Sequence, residues 1–434
     1  MLVVEKLSSL DSNRRFSLIN RSQLDIQRII FETKIILERL LADPLTELSR
    51  EYGSLKPDVS PTDLLVGAEE IERANAQVGK SFLETLKVAA TNIRQFHQAQ
   101  LERPWWLTEI QPGLLAGRVT RPLARVGVYI PGGRAAYPSS ALMNIIPAQV
   151  AGVKEIVAIT PPSPGFLARP EIVAAASLAG ATQIYKLGGA WAVGSLAHGL
   201  LGLPKVDKIV GPGSVWVTAA KLAVYGLVDI DSPAGPSEGF IIVEPGAGAE
   251  PEVLAWDFLA QLEHDPQAAA VLVTTSETLA QDVAKAVNLE LDSLARAAIV
   301  QESLKNAAIL VADNLDAAFD LANEYAPEHL QLILPDPFSH LGRIQNAGSV
   351  FLGPHSPIAG GDYATGPNHV LPTGGAARAF SGLSVDGFLR KMTFQQLTSQ
   401  ALKDLGPTIC SLARAEGLLG HAKSVEIRTR EPKK

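Results

Sequence analysis

At 434 residues the chain has room for two or more domains and a large core. Its composition, 47% hydrophobic and 19% charged, excludes a disordered chain, and its net charge of −7 without a Lys/Arg cluster excludes a basic nucleic-acid footprint. The single cysteine, Cys410, excludes an intrachain disulfide framework and a multi-cysteine zinc site, and reads as a buried small hydrophobe.

Residues 1–15 are broken by Glu5, Lys6, Asp11, Arg14 and Arg15, so no secretory signal is expected. The longest candidate for a membrane span, 139–153, is uncharged but short and contains Pro147, so no span is expected. A reducing, cytoplasmic setting follows as an expectation.

Ile26, Ile29, Ile30 and then Ile36, Leu37, Leu40, Leu41 recur at helical spacing, predicting helices from Leu24 to about Gln100. Ser60-Pro61-Thr62 reads as a helix start. Pro104-Trp105-Trp106 reads as a connector. Strands are then predicted at 125–130, 155–160, 183–186 and 206–210, with helices from Ser139 and over 170–178, 190–200 and 214–224. A second series has strands at 240–243, 269–275, 307–311 and 350–352, with helices from Glu252, from Glu277 and over 314–324. This alternation predicts an α/β protein with two Rossmann-like, doubly wound units, split near Gly235-Pro236-Ser237. A helical segment precedes them, and a largely helical tail follows from Ser384.

Four scattered motifs carry the chemistry: QLEHDP (261–266), APEH (326–329), GGDYATGPNHVLPTGG (360–375) and AEGLLGH (415–421). Together they hold four of the eight histidines, each with Asp, Glu or Gln within seven residues, as metal and proton-transfer chemistry requires. Gln261 and His264 lie near the end of a helix that Pro251 starts and Asp265-Pro266 stops. Their spacing sets them roughly 60° apart on one face, where they hold a cation or simply end an exposed helix. Glu328 and His329 border a cleft if they lie at a loop or strand end, with His329 as general base and Glu328 activating water. The alternative is a helix N-terminus with Pro327 in its first turn. The Gly/Pro-rich stretch 353–375 is long for a structureless loop, and Asp362 and His369 make it a source of ligands or bases. Glu416 and His421 are about 140° apart on an ideal helix, and share a site only if the chain loosens at Gly417 and Gly420. The turns Gly132-Gly133, Gly188-Gly189 and Gly211-Pro212-Gly213 each follow a predicted strand. They suit phosphate binding or are ordinary βα turns, and none matches G-x-G-x-x-G. On these motifs alone a metal-dependent hydrolase also stands.

Over nearly its whole length the chain resembles the histidinol dehydrogenases. The resemblance rests on IRQFHQAQ (93–100), RVGVYIPGGRAAYPSSALMNIIPAQVAGVKEI (125–156), VDKIVGPG (206–213), AGPSE (234–238), NEYAPEHL (323–330), AEGLLGHAKSVEIR (415–428) and the motifs above. It implies oxidation of L-histidinol to L-histidine through histidinaldehyde with two NAD+, in histidine biosynthesis. It implies one zinc ion per subunit on Gln261, His264, Asp362 and His421, with Glu328 activating water and His329 as general base. Ser237, His369 and Glu416 are implied as substrate contacts beside the zinc ligands and His329, and Tyr129 as a contact to NAD+. It also implies a homodimer in which Glu416 and His421 come from the partner subunit. The division expected is an arm (1–25), one Rossmann-like domain (26–128 plus 238–383), a second (129–237) and the swapped tail (384–434). Three positions depart from the family pattern: Trp191 in place of the Gln of GGAQA, Ser214 in place of the Asn of GPGN, and Ile358 where Glu is common. Trp191 and Ser214 fall on family NAD+ contacts. The alternatives are a dehydrogenase of another small polar alcohol, or a zinc- and imidazole-binding paralogue that no longer turns over.

Overall fold

The computed structural model describes residues 2–21, 26–132, 136–232 and 235–430. Leu24 of the predicted helix start, Gly133 of the first glycine turn and Ala234 of AGPSE lie outside them. The chain forms two compact units, residues 1–100 with 123–387, and residues 101–122 with 388–434. In chain order the strands are β1 (Val4–Lys6), β2 (Trp105–Gln111), β3 (Leu114–Pro122), β4 (Arg125–Tyr129), β5 (Glu155–Thr160), β6 (Gln183–Lys186) and β7 (Lys208–Val210). There follow β8 (Asp229–Ile230), β9 (Glu238–Val243), β10 (Ala269–Thr274), β11 (Ala307–Val311), β12 (His329–Ile333), β13 (Ser349–Leu352) and β14 (Leu389–Leu397).

The first unit holds two parallel sheets, ordered β6-β5-β4-β7-β8 and β1-β11-β10-β9-β12-β13. Starting from β4 and from β9, both run outward, return, and continue on the other side, as doubly wound folds do. The α/β architecture expected from strand–helix alternation is therefore present. The residues of β9 alternate between two cores. Phe240 and Ile242 pack with Phe319 and Leu321 of the Leu315–Tyr325 helix, while Ile241 and Val243 pack with Leu254 and Phe258 of the Pro251–Leu262 helix. Burial on both faces is why such strands read as unbroken apolar runs. β12 escaped the sequence pattern because His329 and Gln331 interrupt its run. Gln331 is nonetheless buried, with its amide donating to Asp257 at 2.8 Å.

Side-chain caps set where helices begin: Ser276 accepts from the N–H of Leu279, and Asn314 from that of Ala317. Because each helix runs back against its strand, the ends of Pro251–Leu262 and Leu315–Tyr325 return to the amino ends of β9 and β12.

The second unit is an antiparallel sheet, β14-β3-β2, followed by helices Ser399–Ala415 and Leu419–Thr429. Two expectations are corrected here. The Pro104-Trp105-Trp106 connector opens strand β2, and the helical tail begins with a nine-residue strand, paired from Leu389↔Pro122 to Leu397↔Leu114. Lys, Met, Gln and Leu in β14 favour helix locally, and pairing with distant β3 overrides that preference. The helices meet through Cys410, Ala413, Ala422 and Val425, so Cys410 is a buried hydrophobe as expected. Gly417, at φ +75°, breaks the chain between them. Glu416 and His421 thus flank a corner rather than share one helix. No helix among the described residues is long and apolar enough to cross a membrane.

Candidate active site

Ser237, Gln261, Glu328, His329 and Asp362 gather where the amino ends of β9 and β12 meet, with His369 and His264 beside Asp362. The Leu315–Tyr325 helix stops at Ala326, which is left-handed at φ 50°, and Pro327 turns the chain into β12. His329 therefore opens a strand and Glu328 immediately precedes it, which removes the helix N-terminus alternative. His329 lies in register with Gly239 of β9. A Cβ on Gly239 would fall 2.6 Å from Cγ of Gln261, so the missing side chain lets the helix end carrying Gln261 approach.

Glu328 is buried, and its Oε2 accepts from Ser237 Oγ and from the N–H of Glu238, both at 2.9 Å. Burial drives its carboxyl well above the usual carboxylate range, against the opposing pull of His329 and these hydrogen bonds. Nδ1 of His329 lies 3.1 Å from the carbonyl oxygen of Glu238. A carbonyl only accepts, so the Nδ1–H donates there and Nε2 is left as the proton-accepting nitrogen. That Nε2 is buried without a hydrogen-bond partner among the described residues, 3.6 Å from Oδ1 of Asp362. Burial opposes charge on His329, but Glu328 and Asp362 outweigh it and raise its pKa.

The 353–375 stretch is not a plain loop, because Ile358–Tyr363 forms a short helix that carries Asp362. Burial disfavours the ionised Asp362, yet the surrounding His329, His369 and His264 hold its carboxyl below the usual range. His369 donates from Nδ1 to the backbone oxygen of Asp362 at 2.8 Å, so Nε2 is its proton-accepting nitrogen. His264 lies two residues beyond the helix end, at the exposed rim, and partial desolvation lowers its pKa. Ser237 Oγ reaches Oε1 of Gln261 at 3.4 Å. Glu416 and His421 belong to the second unit, where both are exposed. Among the described residues no three His, Cys, Asp or Glu side chains form a metal cluster within the chain.

The glycine turns lie at the carboxyl ends of the five-stranded sheet. A Cβ at Gly132 would meet Thr160 Oγ1 at 2.7 Å, and that hydroxyl is buried without a partner among the described residues. The N–H groups of Gly188 and Gly189 donate to the hydroxyls of Tyr52 and Tyr129, at 2.8 and 3.2 Å. Tyr129 is accordingly buried beneath the turn. Trp191 is half-buried against the core of this sheet, its indole N–H directed at Oε2 of Glu47, 3.4 Å away. Ser214 is exposed at the start of the Val215–Val224 helix, and Ile358 is buried at the start of its own helix.

Gly211 has φ +111°, and a Cβ there would fall 2.1 Å from the backbone oxygen of Tyr129. Lys221 and Asp231, an ion pair, hold its carbonyl and its N–H, the latter at 2.7 Å. Gly211→Ala is expected to cost about 3 kcal/mol of stability, read by denaturant unfolding. An unchanged midpoint would mean that this turn adapts.

The family model for histidinol dehydrogenase matches residues 21–429. The chain belongs to the histidinol dehydrogenase family. It is 43% identical over 428 residues to a histidinol dehydrogenase of Methanosarcina barkeri, covering 99% of this chain and 98% of that one. With the Methanosarcina mazei histidinol dehydrogenase it shares 47% over 379 residues, 87% of either chain. The crystal structure of histidinol dehydrogenase from Elizabethkingia anophelis superposes with a TM-score of 0.90 at 36% identity, covering 99% of this chain and 97% of that one. Two residues at the site of this family member had no role in the sequence reading. Glu238 offers both backbone groups to Glu328 and His329, and Arg21 pairs with its carboxylate. The available signal was a lone carboxylate opening the otherwise apolar strand EGFIIV, since a buried charge needs a partner.

Proposed function

We propose that this chain oxidises L-histidinol to L-histidine through histidinaldehyde, with Glu328 and His329 dividing the proton transfers. Histidinol dehydrogenase activity, an NAD-dependent oxidation in histidine biosynthesis, is the activity of the family to which the chain belongs. The observation that carries the division of labour is the buried, adjacent pair held in two different ways by Ser237 and Glu238. His329, its Nδ1–H committed to a carbonyl, takes the hydroxyl proton at Nε2 in the alcohol oxidation. Glu328 takes a proton from the water that attacks the aldehyde, and Ser237 orients its carboxylate. Each oxidation also releases a hydride, so two NAD+ balance the four electrons.

The donors fit zinc. Asp362 offers a carboxylate, His264 an imidazole and Gln261 an amide oxygen, so three ligands of suitable type come from one chain. His421 supplies a fourth, and with Glu416 we assign it to the partner subunit of a homodimer. When bound, zinc would anchor the substrate's nitrogens and NAD+ would accept the hydrides. Ser237, His369 and Glu416 are the substrate contacts of this reading. The crevice at the carboxyl ends of β4 to β7 suits a dinucleotide. Trp191, at a family NAD+ position, directs its indole N–H at Oε2 of Glu47.

Zinc-loaded protein given L-histidinol and NAD+ is expected to form two NADH per histidine. Chelation should stop the reaction and added zinc restore it. Absence of NADH formation under those conditions would overturn the reading.

A further inference from the structure

We propose that Arg21 and Glu238 are a positioning pair that sets the geometry of Glu328 and His329, a role that rests on the catalytic assignment above. Both side chains are almost fully buried, 3% and 0% exposed, and they pair at 2.5 Å between Nε and Oε2. Glu238 is fixed on every side. Its Oε1 accepts from the N–H of Gly374 at 2.8 Å, at the end of the stretch that carries Asp362 and His369. Its backbone N–H and carbonyl are the two groups that hold Glu328 and His329. Arg21 donates from Nη1 to the backbone oxygens of Tyr325 at 2.8 Å and Ile19 at 2.9 Å, and its guanidinium stacks on the Tyr325 ring, 3.2 Å from the centroid. One arginine thus joins the N-terminal segment, the start of β9 and the end of the helix that leads into Glu328.

Stability alone does not account for this arrangement. Burying an ion pair costs hydration that the pairing often fails to recover, and apolar replacement of such pairs is often neutral. Here Arg21 Nη2 and the Tyr325 hydroxyl are also buried without partners among the described residues, which adds to that cost. What the pair does provide is direction. The carboxylate of Glu238, held by Arg21 and Gly374, fixes the peptide groups that fix both catalytic side chains. Misplacing such groups by about 1 Å costs roughly 100-fold in rate.

The test compares Arg21→Met, Glu238→Gln, the double variant R21M/E238Q and His329→Asn. The double variant leaves neither charge buried alone, so it is expected to unfold cooperatively, bind zinc as wild type does and keep its KM for histidinol within about threefold, while kcat falls about 100-fold. A folded double variant with kcat within about threefold of wild type would overturn the proposal. If the double variant does not fold, Arg21→Lys, which keeps the charge but not the fork, is judged by the same kcat and KM criteria. Full kcat in His329→Asn would instead sink the catalytic assignment itself, whatever the pair variants do.

Discussion

Glu328→Gln is expected to leave the alcohol oxidation running and to stall the aldehyde oxidation. The amide keeps an oxygen that accepts from Ser237 and from the N–H of Glu238, so the local structure should survive the change. It has no basicity to offer an attacking water. His329 retains its Nδ1 bond to the Glu238 carbonyl and its free Nε2, so the hydroxyl proton still has an acceptor. A single turnover should therefore yield one NADH per site instead of two, with histidinaldehyde recoverable by a carbonyl trap. Steady-state formation of histidine should fall about 1,000-fold, within the range ascribed to general-base groups. Two NADH per turnover at near-normal rate would remove Glu328 from the water step.

Activity is expected to return when two inactive subunits are mixed. If the tail acts in trans, a complete site takes His264 from one subunit and His421 from the other. Co-expressed His264→Ala and His421→Ala chains then build one intact site in each hybrid dimer, while both parental homodimers have none. Random assortment makes about half the dimers hybrid, each with one of two sites intact, so roughly a quarter of wild-type activity should reappear. A tail acting within its own chain gives no recovery. The second unit has the surface such an exchange requires: Trp105, Trp106, Ile110, Met392, Leu419 and Ile427 are all exposed.

The parallel sheets were legible because strands buried on both faces are continuous apolar runs bounded by turns, as in β5, β10 and β11. The three-stranded sheet was not, since β3 finds its second partner only in β14, far along the chain. At the site, the motifs named Gln261, Glu328, His329 and Asp362 and the family resemblance added Ser237, and the fold brings these together. Their place in the sheet was hidden. The usual rule puts ligands at the carboxyl ends of parallel strands, whereas these residues meet at the amino ends of β9 and β12, where the flanking helices return. Glu238 showed only as a charge in an apolar strand, and Arg21 stayed silent because its meaning lies in a pairing between distant segments and a solitary arginine carries no periodicity.

The pairing of β3 with β14 also orders the birth of the molecule. As the chain leaves the ribosome, β2 and β3 are made early and can zip at once, but the other edge of β3 stays bare until residues 389–397 emerge. An open, partly apolar edge is an invitation to join a neighbouring nascent chain. Premature termination anywhere between β3 and β14 would therefore release a product with an adhesive strand edge, destined for aggregation or degradation rather than for partial function.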